Sequence, residues 1–435
     1  MSRGVARAAA SDMTSIYLGQ RFGYAGINSP FHFRTRDFLR HVYVLGKTGM
    51  GKSTLLQLFI HGLIDNGDGV AILDPHGDLA AWALNAVPAS RLDDVVLLDL
   101  CDPDFAPALN LVSCAIPEAS RPRVASALVS AFRHIWADSW GPRLEYILYH
   151  AVRVLLDCEN VSLVALPRLL TDDAFRASAV RQCRDPFVRS FWSTEYDAWD
   201  KRFRTEAIAP IQNKLGQLVA IPSVRQVLGQ VRLRVDFADV LQSGRILIIN
   251  LAKGRLGDDA SRLLGALITS VLSATAMERV LLPQEERRDF VLVLDEAQSF
   301  LSDTLASILS ESRKFGLGLV LAHQYLAQLP PSVQAATLGN TGTTFAFRVS
   351  GEDADKLATN FGTFAPTQFI ELPPFTALVR PIDGAGYPFR LTIEPVTVHE
   401  SQYAGLIRAR SRQRYHASRS VIEAKLKRWL GDRAF

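Results

Sequence analysis

Residues Gly46-Lys47-Thr48-Gly49-Met50-Gly51-Lys52-Ser53 follow the spacing G-x-x-x-x-G-K-[ST], between an apolar run (His41 to Leu45) and a helical one (Thr54 to Ile60). Glycines at those positions let the backbone curl until successive N–H groups point inward, a cradle for nucleotide phosphates. The positive end of the following helix adds to that attraction. Lys52 is spaced to reach the β- and γ-phosphates, and the Ser53 hydroxyl to ligate Mg²⁺. Gly46 through Thr54 are therefore the candidate binding residues for ATP and Mg²⁺. Such a spacing arises by chance in isolation; the strand–loop–helix setting argues against chance here.

A second constellation supports the first. Phe290-Val291-Leu292-Val293-Leu294 is an apolar strand ending in Asp295-Glu296. Asp295 is suited to hold Mg²⁺, and Glu296 to orient and deprotonate the water that attacks the γ-phosphate. Adjacent carboxylates are common on solvated surfaces, but five apolar residues before the pair favour the catalytic reading. A later strand, Leu317 to Ala322, ends at His323-Gln324. In P-loop ATPases with a catalytic glutamate, which this pattern resembles, such a strand lies between the phosphate-loop strand and the Asp-Glu strand. Its terminal polar residue then senses the γ-phosphate. Gln324 is that candidate, against the plainer reading of a loop-capping amide; His323 is left as a neighbour. Arg313, with Lys314, precedes the strand and is a candidate arginine supplied to an adjacent subunit, or else a solvated helix-end charge.

The elements that must hold these residues are legible in outline. Short runs rich in Val, Ile and Leu recur at Val42–Leu45, Val70–Leu73, Val95–Leu100, Ile246–Asn250, Phe290–Leu294, Leu317–Leu321 and Thr344–Arg348. Helical patterns separate them, so the fold class is α/β with a mostly parallel sheet covered on both faces. From about Pro117 to Gln230 strand-like runs stop and helical stripes take over, such as Leu144-Ile147-Leu148-Ala151-Val152-Leu155. This reads as an inserted all-α domain. The expected organisation is an N-terminal arm (1–37), a nucleotide-binding domain in two parts (38–116 and 236–400), the insertion (117–235) and a basic helical tail (401–435). In that tail Ile422, Leu426, Trp429 and Leu430 share one helical face.

At 435 residues, 48% hydrophobic and 21% charged, the chain is globular and long enough for two or three domains. The longest weakly polar run, Leu263 to Met277, is too short for a membrane span of about 20 residues and reads as a buried helix. No apolar signal core follows Met1–Asp12, so a cytoplasmic location is expected. Cys101, Cys114, Cys158 and Cys183 stand far apart, as expected for buried free thiols rather than metal ligands. The net charge of +4 is uneven. Residues 116–235 hold 17 Lys/Arg against 12 Asp/Glu, and 401–435 hold 9 against 2; the remainder carries −8. An acidic body with two basic parts suggests a polyanionic partner at those parts.

Together these residues resemble the HerA/FtsK superfamily of DNA-pumping ATPases, most nearly the nucleotide-binding module of type IV secretion and conjugative coupling proteins. The resemblance rests on His41–Thr54, on Leu73-Asp74-Pro75-His76-Gly77-Asp78, on Asn250–Gly257 and on Arg313–Gln324, and spans about residues 18–430. It implies a RecA-like fold, an arginine finger at Arg313, a glutamine motif at Gln324, and a homohexameric ring that threads DNA at the expense of ATP. Membrane-bound coupling proteins begin with transmembrane helices, which this sequence lacks, so a place at a secretion channel would require a separate membrane partner.

Candidate DNA contacts are less specific. Trp192, Tyr196, Trp199 and Phe203 interleave with cations but recur at helical spacing, which favours a core over base stacking. Lys253 and Arg255 lie in a Gly-flanked loop suited to a channel lining. Arg408, Arg410, Arg412, Arg414 and Arg419 read equally as nucleic-acid contacts or as a solvated tail. The competing function is a ring ATPase that recruits or moves a protein. A non-catalytic nucleotide switch is disfavoured by Glu296 and Gln324, and a small-molecule kinase by the helical insertion.

Overall fold

The computed structural model describes residues 14–23, 27–300, 309, 311–382 and 386–431. In chain order its strands are β1 (Ser15–Phe22), β2 (Asn28–Arg34), β3 (Val42–Leu45), β4 (Gly69–Asp74), β5 (Val95–Asp99), β6 (Phe105–Pro107) and β7 (Ile246–Asn250). They continue with β8 (Phe290–Leu294), β9 (Leu317–His323), β10 (Thr343–Ala346), β11 (Thr376–Arg380), β12 (Phe389–Ile393) and β13 (His416–Ser418).

One eleven-stranded sheet has the order β2-β1-β12-β11-β10-β3-β9-β8-β4-β7-β5. The strands from β10 to β5 are parallel. Each of the seven expected runs is among them. Their side chains alternate between two apolar layers. Val42 and Val44 of β3 join one, with the helices Lys52–Asp65 and Asp78–Ala86; Tyr43 and Leu45 join the other, with the helices of 121–278. Period-two side chains with both faces apolar explain why these strands read as unbroken hydrophobic runs.

The other four strands were not expected. β11, β12, β1 and β2 form an antiparallel wing beyond β10. Within the segment read as an N-terminal arm, β1 and β2 thus belong to the sheet. Between β6 and β7 the described residues form only helices, from Arg121–Ile135 to Phe237–Ser243, and these share one continuous apolar cluster with the sheet. The helix Asp258–Glu278 crosses that cluster. Among the described residues it belongs to the one stretch long and apolar enough to cross a membrane, and here it is mostly buried inside the protein.

The aromatic run is core. Trp192 and Tyr196 are fully buried, and Trp192, Tyr196, Trp199 and Phe203 form a ladder with ring centroids 4.8, 5.2 and 5.2 Å apart. The cysteines are free, with Cys114 exposed where burial was expected.

The tail is neither loose nor unpartnered. The helix Ala404–Tyr415 lies along β5, where Leu97 N–H donates to Ser411 Oγ at 3.3 Å. Arg408 pairs with Asp99, Arg410 and Arg414 with Asp93, and Arg412 with Asp102. Arg419 donates to the carbonyls of Leu100 and Asp102. In the helix Arg419–Gly431, Ile422 and Leu426 are buried and Trp429 packs against the core, while the Leu430 side chain lies outside the described residues.

Candidate active site

The phosphate loop leaves the C-terminal end of β3 and enters the helix Lys52–Asp65. Gly51 is the residue before that helix, at φ 115°, and a Cβ there would stand 3.1 Å from both Phe347 and Phe375. Only glycine meets both demands. No side chain caps the helix, so its first N–H groups remain for a phosphate. Lys47, Thr48, Gly49 and Ser53 are exposed, Met50 and Thr54 half-buried, and Gly46 buried. Lys52 is buried and donates to the carbonyls of Gly46 (2.6 Å) and Lys47 (3.2 Å), bonds that a bound triphosphate would replace.

Asp295 and Glu296 follow β8 and are both buried. Glu296 adopts a left-handed backbone, φ 48° and ψ 52°. A non-glycine residue held there stores about 1–3 kcal/mol, and such outliers cluster at functional sites. Its two carboxylate oxygens have different donors. Gln324 Nε2 donates to Oε1 at 2.9 Å, and Gln298 Nε2 to Oε2 at 2.6 Å. Burial pushes this carboxyl up, but the two amides and the Lys52 charge outweigh burial, so the net shift is downward. Asp295 differs: burial, then the Asp74 and Glu296 carboxylates, push it up to about 6.

That acid cluster, with the Lys52 charge beside it, fits a divalent cation. Asp295 and the exposed Ser53 hydroxyl offer two hard oxygen ligands, and among the described residues no group of three or more metal-binding side chains gathers anywhere. Mg²⁺ commonly takes one or two protein ligands and completes its shell with phosphate and water. Asp74 is committed elsewhere: its oxygens accept from the N–H groups of His76 and Ala80, which fixes the turn into the helix Asp78–Ala86. The same turn sets His76 Nε2 3.9 Å from Glu296 Oε1.

β9 lies between β3 and β8, as the resemblance implied, and this brings Gln324 to Glu296. His323, read only as a neighbour, is a structural tie. Burial pushes its imidazole down to about 4, so the ring is neutral. Nδ1–H donates to the Tyr325 carbonyl at 3.0 Å, leaving Nε2 to accept from the Tyr43 hydroxyl at 2.6 Å. Gln328 Oε1 then accepts from the backbone N–H groups of Gln324 and Tyr325. A lone histidine at a strand end gave no spacing signal for this role.

Three candidates lie apart from this cluster. Lys253 and Arg255 are exposed on the short helix Lys253–Leu256 after β7, tied to the Asp74 turn through Lys253 N–H and the Pro75 carbonyl. Arg313 lies in the turn Ser312–Phe315, before β9, and its side chain is outside the described residues. Six strand steps separate Leu317 from His323, about 20 Å at 3.3 Å per residue. Arg313 and Gln324 thus stand at opposite ends of β9.

Residues 17–112 match the sequence profile of the helicase HerA central domain. No curated protein matches the chain in sequence. Among solved structures it is similar to the unbound bacterial conjugative coupling protein TrwBdeltaN70, with TM-score 0.64 at 18% identity over 86% of this chain and 88% of that one. It is also similar to the plasmid coupling protein TrwB in complex with a non-hydrolysable ATP analogue, with TM-score 0.63 at 19% identity over 91% and 94%. VirB4 of Thermoanaerobacter pseudethanolicus gives TM-score 0.53 at 14% identity over 91% and 98%. At these identities the likeness is one of fold. The chain thus carries a HerA-like segment over residues 17–112 and has the fold of the conjugative coupling proteins, a mostly parallel sheet covered by helices.

Proposed function

We propose that the protein hydrolyses ATP with Mg²⁺ and uses the cycle to move DNA, acting as a homohexameric ring. One observation carries the hydrolase reading: Glu296, held in a left-handed backbone, is gripped by Gln324 and Gln298 beside Asp295 and Lys52. In this reading Lys52 leaves the loop carbonyls for the phosphates. Asp295 and Ser53 hold Mg²⁺, whose charge would offset that of the triphosphate. Glu296 aligns and deprotonates the attacking water, and Gln324 reports the γ-phosphate to β9. TrwB has been solved with ADP and Mg²⁺ and with an ATP analogue, which supports the choice of ligands. The division into a two-part nucleotide domain, helical insertion and tail belongs to the same proposal.

The alternative, a ring that recruits or moves a protein, is favoured by the tail. Its arginines pair with Asp93, Asp99 and Asp102 instead of standing ready for phosphates. Turnover measured with and without DNA separates the two. The DNA motor requires hydrolysis that rises on adding DNA of unrelated sequence and that Lys52→Ala or Glu296→Gln lowers by about a hundredfold or more, in line with loss of a principal electrostatic or base group. Turnover indifferent to DNA at every salt concentration would leave the protein-moving reading.

A further inference from the structure

Counted along the sequence, the chain outside 116–235 and the tail is acidic, at −8. The sheet order gathers a basic surface within it. The described residues of 14–41 and 376–393 hold Arg21, Arg34, Arg36, Arg40, Arg380 and Arg390 against the single acid Asp37, a local net of +5. Because β1 pairs with β12, and β12 with β11, arginines from the two ends of the chain meet on the antiparallel wing.

The wing encloses a cleft of about 700 Å³ lined by Arg21, Arg34, Arg36 and Arg40. Its cations are partly held in place. The Arg21 guanidinium lies 4.3 Å from the Phe389 ring centre, with Phe31 against the same ring at 4.9 Å. Arg34 is fixed by Asp37 at 2.8 Å. His32 is exposed on the lining, 5.3 Å from the Tyr17 ring. Arg40 and Thr343 border the cleft just before β3 and at the start of β10, the end of the sheet opposite the phosphate loop. A phosphate bound there is separate from the one facing Glu296.

We propose that this cleft binds the backbone of single-stranded nucleic acid. Four arginines with one carboxylate among them match a run of phosphates better than a lone nucleotide. Half-buried Phe31 and exposed His32 beside them offer ring faces for unpaired bases, the combination used for sequence-independent single-strand binding. An acidic peptide would answer the charge and leave those faces unused. The site deepens the DNA-motor reading and takes its choice of polymer from it.

The test is fluorescence anisotropy of a labelled oligothymidylate titrated with the full chain at several salt concentrations. Arg34→Ala/Arg40→Ala should weaken binding at least about tenfold and reduce the salt slope by about one per lost phosphate contact. Asp37→Asn should tighten binding and steepen the slope, which keeps the site testable should the double variant misfold. Thermal melting and ATP-analogue binding should stay as in the wild type. Unchanged affinity in both variants overturns the site. Displacement of the oligonucleotide by polyglutamate as readily as by unlabelled oligothymidylate overturns it in favour of an acidic protein. Cleft-dependent binding with DNA-insensitive turnover would refute the motor and keep the cleft; DNA-stimulated turnover with cleft-independent binding would do the reverse.

Discussion

At the scale of single residues, the proposed site depends on how Glu296 is held as well as on its presence. A carboxylate with a strained backbone and amides on both oxygens is fixed before substrate arrives. Gln324→Ala removes one of those amides without touching the phosphate loop. It should lower the maximal rate tenfold or more while leaving ATP-analogue affinity within about twofold, as expected when an interaction specific to the transition state is lost. An equal loss of affinity would assign Gln324 to binding. Lys52, Asp295, Glu296 and Gln324 were all legible, because each ends or follows an apolar run at a recognisable spacing. Tyr43 and His323 were not, because their hydrogen bond joins residues on neighbouring strands 280 positions apart. Tyr43→Phe should leave the buried His323 Nε2 unpaired and cost about 1–3 kcal/mol in urea unfolding. A neutral result would mean that the tie is dispensable.

Among the elements, the parallel strands could be read because burial on both faces makes them continuous Val/Ile/Leu runs. The wing could not. β2 has the polar start Asn28-Ser29-Pro30 and an exposed outer edge, and the strand that joins β1 to the rest of the sheet is β12, where Gly19 faces Ile393 from the far end of the chain, so no local pattern announces that pairing. The tail's ion pairing is hidden for a related reason: the aspartates that neutralise its arginines, Asp93, Asp99 and Asp102, lie just before, on and after β5, some 310 to 320 residues earlier. β9 is pinned to β3 from both ends by buried histidines. His41 Nδ1 accepts from Leu319 N–H at 3.0 Å, and His323 bonds Tyr43. Burial pushes both rings down to about 4. An unfolded histidine titrates near 6.5, so the unfolded chain takes up these protons first. Their contribution is complete above about pH 6.5 and is lost as pH falls toward 4. Asp68 and Asp295, both raised to about 6, work in the opposite sense over much of the same range, so the slope of wild-type stability does not isolate the histidines. The informative quantity is the difference between wild type and His41→Gln in urea. It should shrink steadily from about pH 6.5 to 4; a constant difference would contradict a buried neutral His41.

For the whole molecule, the geometry of β9 decides how the site can be completed. Gln324 ends that strand beside Glu296, while Arg313 lies before its start, about 20 Å away along the backbone. An extended arginine side chain spans roughly 7 Å, two strand steps, and cannot cross that distance to its own γ-phosphate. If Arg313 stabilises the transition state, it does so in the site of a neighbouring copy, and hydrolysis becomes a property of an interface. Such an interface is heterologous, with different surfaces facing each other, and it closes into a ring when the rotation between copies divides a full turn. The consequence is complementation. Lys52→Ala cannot bind phosphate productively but still offers Arg313; Arg313→Ala keeps its loop but offers no finger. Each should be nearly inactive alone. Mixed in equal amounts and reassembled, they place an intact loop against an intact finger at about one interface in four, so about a quarter of wild-type turnover should return if interfaces form at random and act independently. Turnover should also fall on dilution below the assembly concentration. If the mixture stays as inactive as its parts while wild type turns over, Arg313 serves no neighbouring site, and the neighbour-supplied finger must be sought elsewhere on the surface.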